Sequence, residues 1–170
     1  MEDLDKREKK YTSTANKLLS FPFRLTKIRY DKNWYPINLQ ISPTNKCNLN
    51  CSFCSEKKRK NLELSIWDCF SIINKFKKLG ITSIEITGGG DPTCYLAINE
   101  LITYCNDKLI KIGLITNGVD LYKISDENLN KLTWLRISLS AFDFNKELHI
   151  PKIKGTLGFS YVWHNKSKPK

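Results

Sequence analysis

Three closely spaced cysteines constrain this chain more than any other feature. They occur as Cys47-Asn-Leu-Asn-Cys51-Ser-Phe-Cys54, so three thiolates separated by three and by two intervening residues lie on one loop and can converge on one iron–sulfur cluster. A cubane 4Fe–4S cluster has four irons, so three cysteine ligands leave one iron free to bind a group other than protein. An electron-transfer ferredoxin normally supplies four thiolates, and the next cysteine here is Cys69. The loop therefore predicts chemistry at the cluster.

A glycine-rich turn follows a predicted strand at residues 81–87. It reads Gly-Gly-Gly-Asp-Pro over residues 88–92. Glycines adopt backbone angles that are forbidden to other residues, and they let main-chain polar groups approach a ligand closely. A strand that runs into such a turn predicts recognition of a small ligand by the backbone.

Two further stretches are expected at the carboxyl ends of strands. Thr116-Asn117-Gly118 ends one apolar segment, and Arg136-Ile-Ser138 lies within another. In parallel α/β barrels the loops at this face carry the chemistry. Each stretch also has an ordinary explanation, because Asn-Gly is a common turn and Arg136 could be a partly buried structural cation.

Taken in this order, the motifs resemble the radical S-adenosylmethionine superfamily, whose hallmark is the C-x3-C-x2-C spacing with an aromatic residue before the third cysteine. The resemblance implies that Cys47, Cys51 and Cys54 ligate a 4Fe–4S cluster whose fourth iron chelates S-adenosylmethionine. Reductive cleavage would then give methionine and a 5′-deoxyadenosyl radical, which abstracts hydrogen from a substrate. The protein would contribute orientation, redox tuning and exclusion of water and oxygen.

The resemblance also implies a set of residues that bind S-adenosylmethionine. In that family the glycine loop usually ends in Glu-Pro and holds the amino group of the methionine moiety, whereas this chain has the shorter carboxylate Asp91. Residues of the next two strands contact the ribose and carboxylate of the cofactor. The implied cofactor-binding residues are Phe53, Gly88, Gly89, Gly90, Asp91, Asn117, Arg136 and Ser138.

Strands and helices are predicted to alternate along the chain. Apolar residues at helical spacing follow the capping sequence Ser65-Ile-Trp-Asp68, and a second helix is expected at about residues 95–105. Strands are expected at residues 35–41, 81–87, 111–116, 134–139 and 157–163. This order predicts parallel strands joined by right-handed crossovers. The expected fold is a partial α/β barrel of the radical S-adenosylmethionine type, with about five parallel strands and helices on the outer face.

Three regions are expected. They are an N-terminal basic helix and approach segment at residues 1–36, the incomplete barrel at 37–165, and a basic tail at 166–170. The resembled family typically has six core strands. The chain is therefore expected to be a compact or truncated member, or to need a partner subunit that covers an open sheet edge.

Six cysteines in 170 residues could indicate disulfides, but clustered spacing and a charged N-terminus without a signal peptide favour metal ligation in a reducing compartment. No apolar run is long enough to span a membrane, so a cytoplasmic protein without membrane contact is expected. Cys69 and Cys105 lie in apolar surroundings and are expected to pack as small hydrophobes. A structural role is also favoured for Cys94, although its position would allow contact with a substrate.

The formal net charge of +11 is concentrated near the two ends of the chain. Residues 1–60 carry 14 Lys and Arg against 6 Asp and Glu, and residues 152–170 carry five Lys without an acid. A basic rim could attract nucleic acid, an anionic substrate or an acidic protein, but it could also be a solvated lysine surface. Only five of the 28 cations are Arg, which weakens the nucleic-acid interpretation because Arg reads bases and grips phosphate.

Two functions of other classes compete with a radical enzyme. The three loop cysteines plus Cys69 could form a tetrahedral zinc site in a basic nucleic-acid-binding module. Alternatively, the chain could be a truncated accessory or relic protein that holds a cluster without turnover. Zinc explains neither the glycine loop nor the Asn117 turn, so the cluster is favoured.

The substrate is the part of the function that the sequence does not define. As a radical enzyme the chain would need a flavodoxin-like or ferredoxin-like electron donor. Its short length and Gly-Gly-Asp-Pro loop suit a small enzyme that modifies or activates a peptide or protein, and that substrate class is the expectation.

Overall fold

The computed structural model describes Leu19, residues 21–31 and residues 35–163. Most of the N-terminal helix expected before Ser20 and the basic tail at 166–170 lie outside the described residues. The chain divides into two compact units, Met1–Pro36 and Ile37–Lys170. None of the described helices is long and apolar enough to cross a membrane.

The described part of the first unit contains one helix, α1, at Pro22–Asp31. It begins with proline at its first position, where the missing N–H costs no hydrogen bond. The Lys27 ammonium lies 5.1 Å from the ring centroids of both Phe23 and Tyr35, which are cation–π distances.

The second unit alternates strands and helices. Its strands are β1 (Asn38–Ile41), β2 (Ser83–Ile86), β3 (Lys111–Thr116), β4 (Trp134–Ser138) and β5 (Thr156–Ser160). Its α-helices are α2 (Ile66–Lys78), α3 (Ile98–Asp107) and α4 (Asp126–Leu129).

All five strands are parallel and form one sheet in the order β1-β2-β3-β4-β5. Each neighbouring pair is joined by a crossover, so the carboxyl ends of all five strands lie at one edge of the sheet. The expected α/β fold, a partial barrel with five parallel strands, is confirmed. In the described part of the chain, β1 and β5 are each paired on one side only.

Alternate strand residues form the core. On β1 to β4, one face of the sheet carries Leu39, Ile41, Ile84, Ile86, Ile112, Leu114, Leu135 and Ile137, all buried. They join one cluster with side chains of α2 and α3, including Ile73, Leu101 and Ile102. The other face carries polar residues such as Gln40, Glu85 and Arg136. Helices therefore cover one side of the sheet and leave a polar face on the other.

Helix α2 follows its predicted capping pattern. The Ser65 hydroxyl accepts a 3.0 Å hydrogen bond from the Asp68 amide and donates one of 2.7 Å to the Asp68 carboxylate. Gly80 follows the helix with φ of +94°, a left-handed angle that glycine adopts without strain. Helix α3 begins at Ile98 rather than near Tyr95, because a 3-10 turn at Pro92–Cys94 comes first.

Cys69 and Cys105 are both fully buried in the hydrophobic core, as expected. Burial raises the pKa of Cys105 to about 12. The Cys69 sulfur lies 3.8 Å from the Tyr95 hydroxyl. This position in the core does not favour Cys69 as a fourth ligand of a zinc site.

Candidate functional site

The three cysteines lie on a long loop that connects the carboxyl end of β1 to α2. The loop is closed at its base by an antiparallel bridge between Thr44 and Glu63. Backbone hydrogen bonds from Asn45 N to Leu62 O (3.0 Å) and from Leu64 N to Pro43 O (2.9 Å) flank this bridge. These contacts hold the two ends of the loop together and so restrict its conformations. The cysteines between them are thereby kept at the edge of the sheet.

Cys47, Cys51 and Cys54 are free thiols, and each is half-buried. The Cys54 amide donates to the Cys51 carbonyl at 3.1 Å, which folds the C-x2-C segment into a turn. Burial raises the pKa of Cys47 and Cys51, and the charges of neighbouring loop thiols add to the increase. These two thiols are therefore protonated in the metal-free protein at neutral pH, and metal binding must release their protons.

The glycine loop packs directly on the start of the cysteine loop. Gly89 N donates to the Ser42 hydroxyl (2.9 Å), and Gly90 N donates to the Thr44 carbonyl (3.2 Å). Asp91 N donates to the Lys46 carbonyl at 2.8 Å. A Cβ atom on Gly90 would lie 1.9 Å from that same carbonyl oxygen, so only glycine permits this approach.

Asp91 is buried, with 4% exposure, and its carboxylate is fully engaged with protein groups. One oxygen accepts from Thr93 N (3.0 Å), Thr93 Oγ1 (2.6 Å) and Thr116 Oγ1 (2.9 Å). The other accepts from Asn117 N (2.6 Å) and Thr116 Oγ1 (3.1 Å). The side chain therefore ties the glycine loop after β2 to the end of β3.

Asn117 connects this anchor to the cysteine loop. Its side-chain amide donates to Asn48 Oδ1 at 2.6 Å and lies 3.8 Å from the Cys47 sulfur. Its side-chain oxygen accepts from Val119 N, and Gly118 follows with φ of +79°. The predicted Asn-Gly turn therefore also has a contact with the first loop cysteine.

Among the described residues, Arg136 and Ser138 make no hydrogen bond to either of these loops. Ser138 begins a 3-10 turn, and its hydroxyl lies 2.9 Å from that of Ser140. Arg136 is exposed on the polar face of the sheet. Phe53 is 38% exposed on the cysteine loop.

Arg59, which was not predicted as a site residue, contacts both loops. Its Nη2 donates to Cys54 Sγ at 3.1 Å, and its Nε donates to the Gly89 carbonyl at 3.3 Å. The one sequence feature that could have indicated this role is the arginine within the Lys-Lys-Arg-Lys run, which begins three residues after Cys54. Ser42 and Asn48 were also missed, because their contacts join distant parts of the chain.

The residues at this edge fit an iron–sulfur cluster and a small polar ligand. Each loop thiolate in a cluster binds a different iron, so the sulfurs need not meet at one point. In the described ranges, no three His, Cys, Asp or Glu side chains lie close enough to hold a single metal ion. Two buried polar atoms, Asn45 Oδ1 and Asn48 Nδ2, have no hydrogen-bond partner among the described residues. Both residues belong to the cysteine loop, and a bound polar group could satisfy these atoms.

We expect Asp91→Asn to lower the free energy of unfolding by about 3 kcal/mol. An amide keeps one acceptor oxygen but replaces the other with an NH2 group. In either orientation that group faces a backbone N–H, from Thr93 or from Asn117, so two donors oppose each other. Urea denaturation of the metal-free protein measures the loss.

The control for this substitution is Asp107→Asn, at an exposed position at the end of α3. Its effect should stay within about 0.5 kcal/mol. Equal stability of the two variants would show that the Asp91 contacts do not hold the loops together.

Comparisons with known proteins match most of the chain to one family. A family model of the Radical SAM superfamily matches residues 41–163. The chain is 31% identical to the GTP 3′,8-cyclase of Clostridium perfringens over 127 residues, which are 70% of this chain and 39% of that protein. The chain spans about two fifths of the length of the curated relatives that it matches.

Solved structures with a similar fold include SuiB of Streptococcus suis. SuiB bound to S-adenosylmethionine matches with a TM-score of 0.57 and 28% identity, over 71% of this chain and 29% of that chain. SuiB bound to its precursor peptide SuiA matches with a TM-score of 0.57 and 25% identity, over 81% of this chain and 31% of that chain.

Proposed function

Since this chain belongs to the radical SAM superfamily, we propose that it is a radical enzyme whose Cys47, Cys51 and Cys54 hold its cluster. The cofactors of the superfamily, a 4Fe–4S cluster and S-adenosylmethionine, are the cofactors of this chain. Cys47, Cys51 and Cys54 would hold the 4Fe–4S cluster, which when bound would supply one electron for the reductive cleavage of S-adenosylmethionine and so allow hydrogen abstraction from the substrate. The packing of the cysteine loop against the glycine loop is the observation that carries this proposal.

The chain's own residues would bind and orient S-adenosylmethionine at the carboxyl edge of the sheet. The backbone of Gly88, Gly89 and Gly90 would hold the amino group of its methionine moiety, and Asp91 would fix that loop from the protein side. Phe53, Asn117, Arg136 and Ser138 are the remaining proposed cofactor residues. Asn117 has the strongest support of these four, because it already contacts the first cysteine and the cysteine loop.

For the substrate, we propose a peptide or protein that is modified or activated by hydrogen abstraction. Support comes from SuiB, which was solved with a precursor peptide and is 25% identical in that comparison. A nucleotide is the second candidate, because the chain is 31% identical to a GTP 3′,8-cyclase. A reductant is required in either case, and a flavodoxin-like or ferredoxin-like donor is the proposed partner.

We expect the reconstituted protein to release 5′-deoxyadenosine when it is incubated anaerobically with S-adenosylmethionine and dithionite. A matching peptide should raise this release above the uncoupled background, because hydrogen abstraction makes cleavage irreversible. Chromatography of the product, with peptide fractions and GTP in separate reactions, measures the effect.

The same assay tests the alternatives. If GTP but not peptides raises the release of 5′-deoxyadenosine, the substrate is a nucleotide and not a peptide. An intact cluster with bound S-adenosylmethionine but without 5′-deoxyadenosine release would overturn the proposed enzyme and favour an accessory protein.

A further inference from the structure

Arg59 is the one side chain in the described residues that hydrogen-bonds to both a loop cysteine and the glycine loop. It is half-buried, and its guanidinium reaches the sulfur of Cys54 with Nη2 (3.1 Å) and the carbonyl of Gly89 with Nε (3.3 Å). These two partners are separated by 35 positions in sequence. A single planar group therefore joins the loop that would hold the cluster to the loop that would hold its ligand.

Arginine and lysine differ in ways that matter at this position. Arg59 lies among Lys57, Lys58 and Lys60, all of which are exposed. Arginine presents several donors in a fixed planar fork and stays charged at any working pH, whereas lysine presents one flexible ammonium. Only a fork can reach both acceptors with separate nitrogens, which explains why the half-buried position carries an arginine.

We propose that Arg59 positions the third thiolate against the glycine loop and stabilises the reduced form of the cluster. This inference rests on the proposed function. Hydrogen bonds to ligating sulfurs and nearby charge are known to set cluster potentials. One electron enters the cluster from a one-electron reductant, no proton is transferred, and the guanidinium remains protonated throughout. The added negative charge is then held close to a fixed positive charge.

The test is a redox titration of the cluster in the reconstituted full chain. With Arg59→Gln we expect about tenfold less reduced cluster at a fixed potential, which equals a shift of about 59 mV to a more negative value for a one-electron couple. The matched control is Lys60→Gln, which removes one positive charge from the neighbouring residue without loss of a thiol contact. Electron paramagnetic resonance of the reduced cluster measures the midpoint, so the result does not depend on turnover.

A second variant, Arg59→Lys, separates charge from geometry. It keeps the charge but loses the fork, so its midpoint should stay near that of the unmodified protein while its affinity for S-adenosylmethionine falls about tenfold. If Arg59→Gln fails to hold a cluster, the test uses Arg59→Lys instead, in which the midpoint potential should be unchanged while the affinity for S-adenosylmethionine falls.

Two results would overturn the inference. One is a midpoint for Arg59→Gln equal to that of Lys60→Gln, and the other is unchanged cofactor affinity in Arg59→Lys. Both leave the proposed function intact, because that function is tested on the unmodified chain: it fails if that chain binds no 4Fe–4S cluster, or if it holds the cluster and S-adenosylmethionine but releases no 5′-deoxyadenosine.

Discussion

Replacing Cys47, Cys51 or Cys54 with alanine is expected to remove the iron–sulfur cluster almost completely and to abolish cleavage of S-adenosylmethionine. Each thiolate would hold one iron, and an alanine at any of the three positions leaves an iron without its ligand. The effect is expected to be the same at all three positions, because they serve one cluster. Iron and sulfide analysis after anaerobic reconstitution, with the visible absorbance of the cluster, measures the loss.

Cys69→Ala is the control for these variants. Cys69 is fully buried in the core, so its replacement should lower stability modestly but leave the iron content unchanged. A zinc site made by four cysteines would behave differently, because Cys69→Ala would then lose metal to the same extent as the other three variants. The pattern across four single variants therefore separates the two kinds of centre.

Gly90→Ala is expected to weaken binding of S-adenosylmethionine by about 100-fold, since a displacement of about 1 Å at a binding site has effects of this size. The new Cβ would lie 1.9 Å from the Lys46 carbonyl oxygen and 2.5 Å from the Asn45 carbonyl carbon. Both atoms belong to the backbone, so a side-chain rotation cannot relieve the clash. The glycine loop must move away from the cysteine loop, and the hydrogen bond from Asp91 N to Lys46 O is lost. Titration of the reconstituted protein with S-adenosylmethionine measures the affinity.

Gly158→Ala is the matched control for this substitution. A Cβ at Gly158, in β5, meets no atom within 4 Å, so the affinity should not change. Gly89→Ala should lie between the two, because its new Cβ would be 3.3 Å from the flexible Glu56 side chain. Wild-type affinity in Gly90→Ala would show that the close packing of the two loops is not needed for cofactor binding.

Sequence patterns predicted the architecture well because they depend on neighbouring residues. Apolar residues at Leu39 and Ile41 alternate along β1 as expected, and the Ser65 cap starts α2 at the predicted place. The exact start of α3 was wrong for a local reason. Asp91 caps a 3-10 turn, and the Tyr95 side chain turns inward to donate to the Leu64 carbonyl.

Contacts between distant segments were beyond sequence reasoning. The family pattern placed Asp91 at the end of the loop that holds the amino group of the cofactor, but no pattern showed that its carboxylate oxygens accept from Thr93, Thr116 and Asn117. No short-range pattern shows that residues 91 and 116 meet. Arg59 was missed for the same reason, since its partner Gly89 lies 30 residues away.

The most direct test of a three-cysteine cluster with one open iron is Mössbauer spectroscopy of the unmodified chain, reconstituted anaerobically with ⁵⁷Fe. A 4Fe–4S spectrum in which one iron subsite shifts when S-adenosylmethionine is added is the expected result. Stoichiometric zinc without iron, or a 4Fe–4S spectrum that does not respond to S-adenosylmethionine, would refute the assignment of Cys47, Cys51 and Cys54 as the ligands of an open cluster.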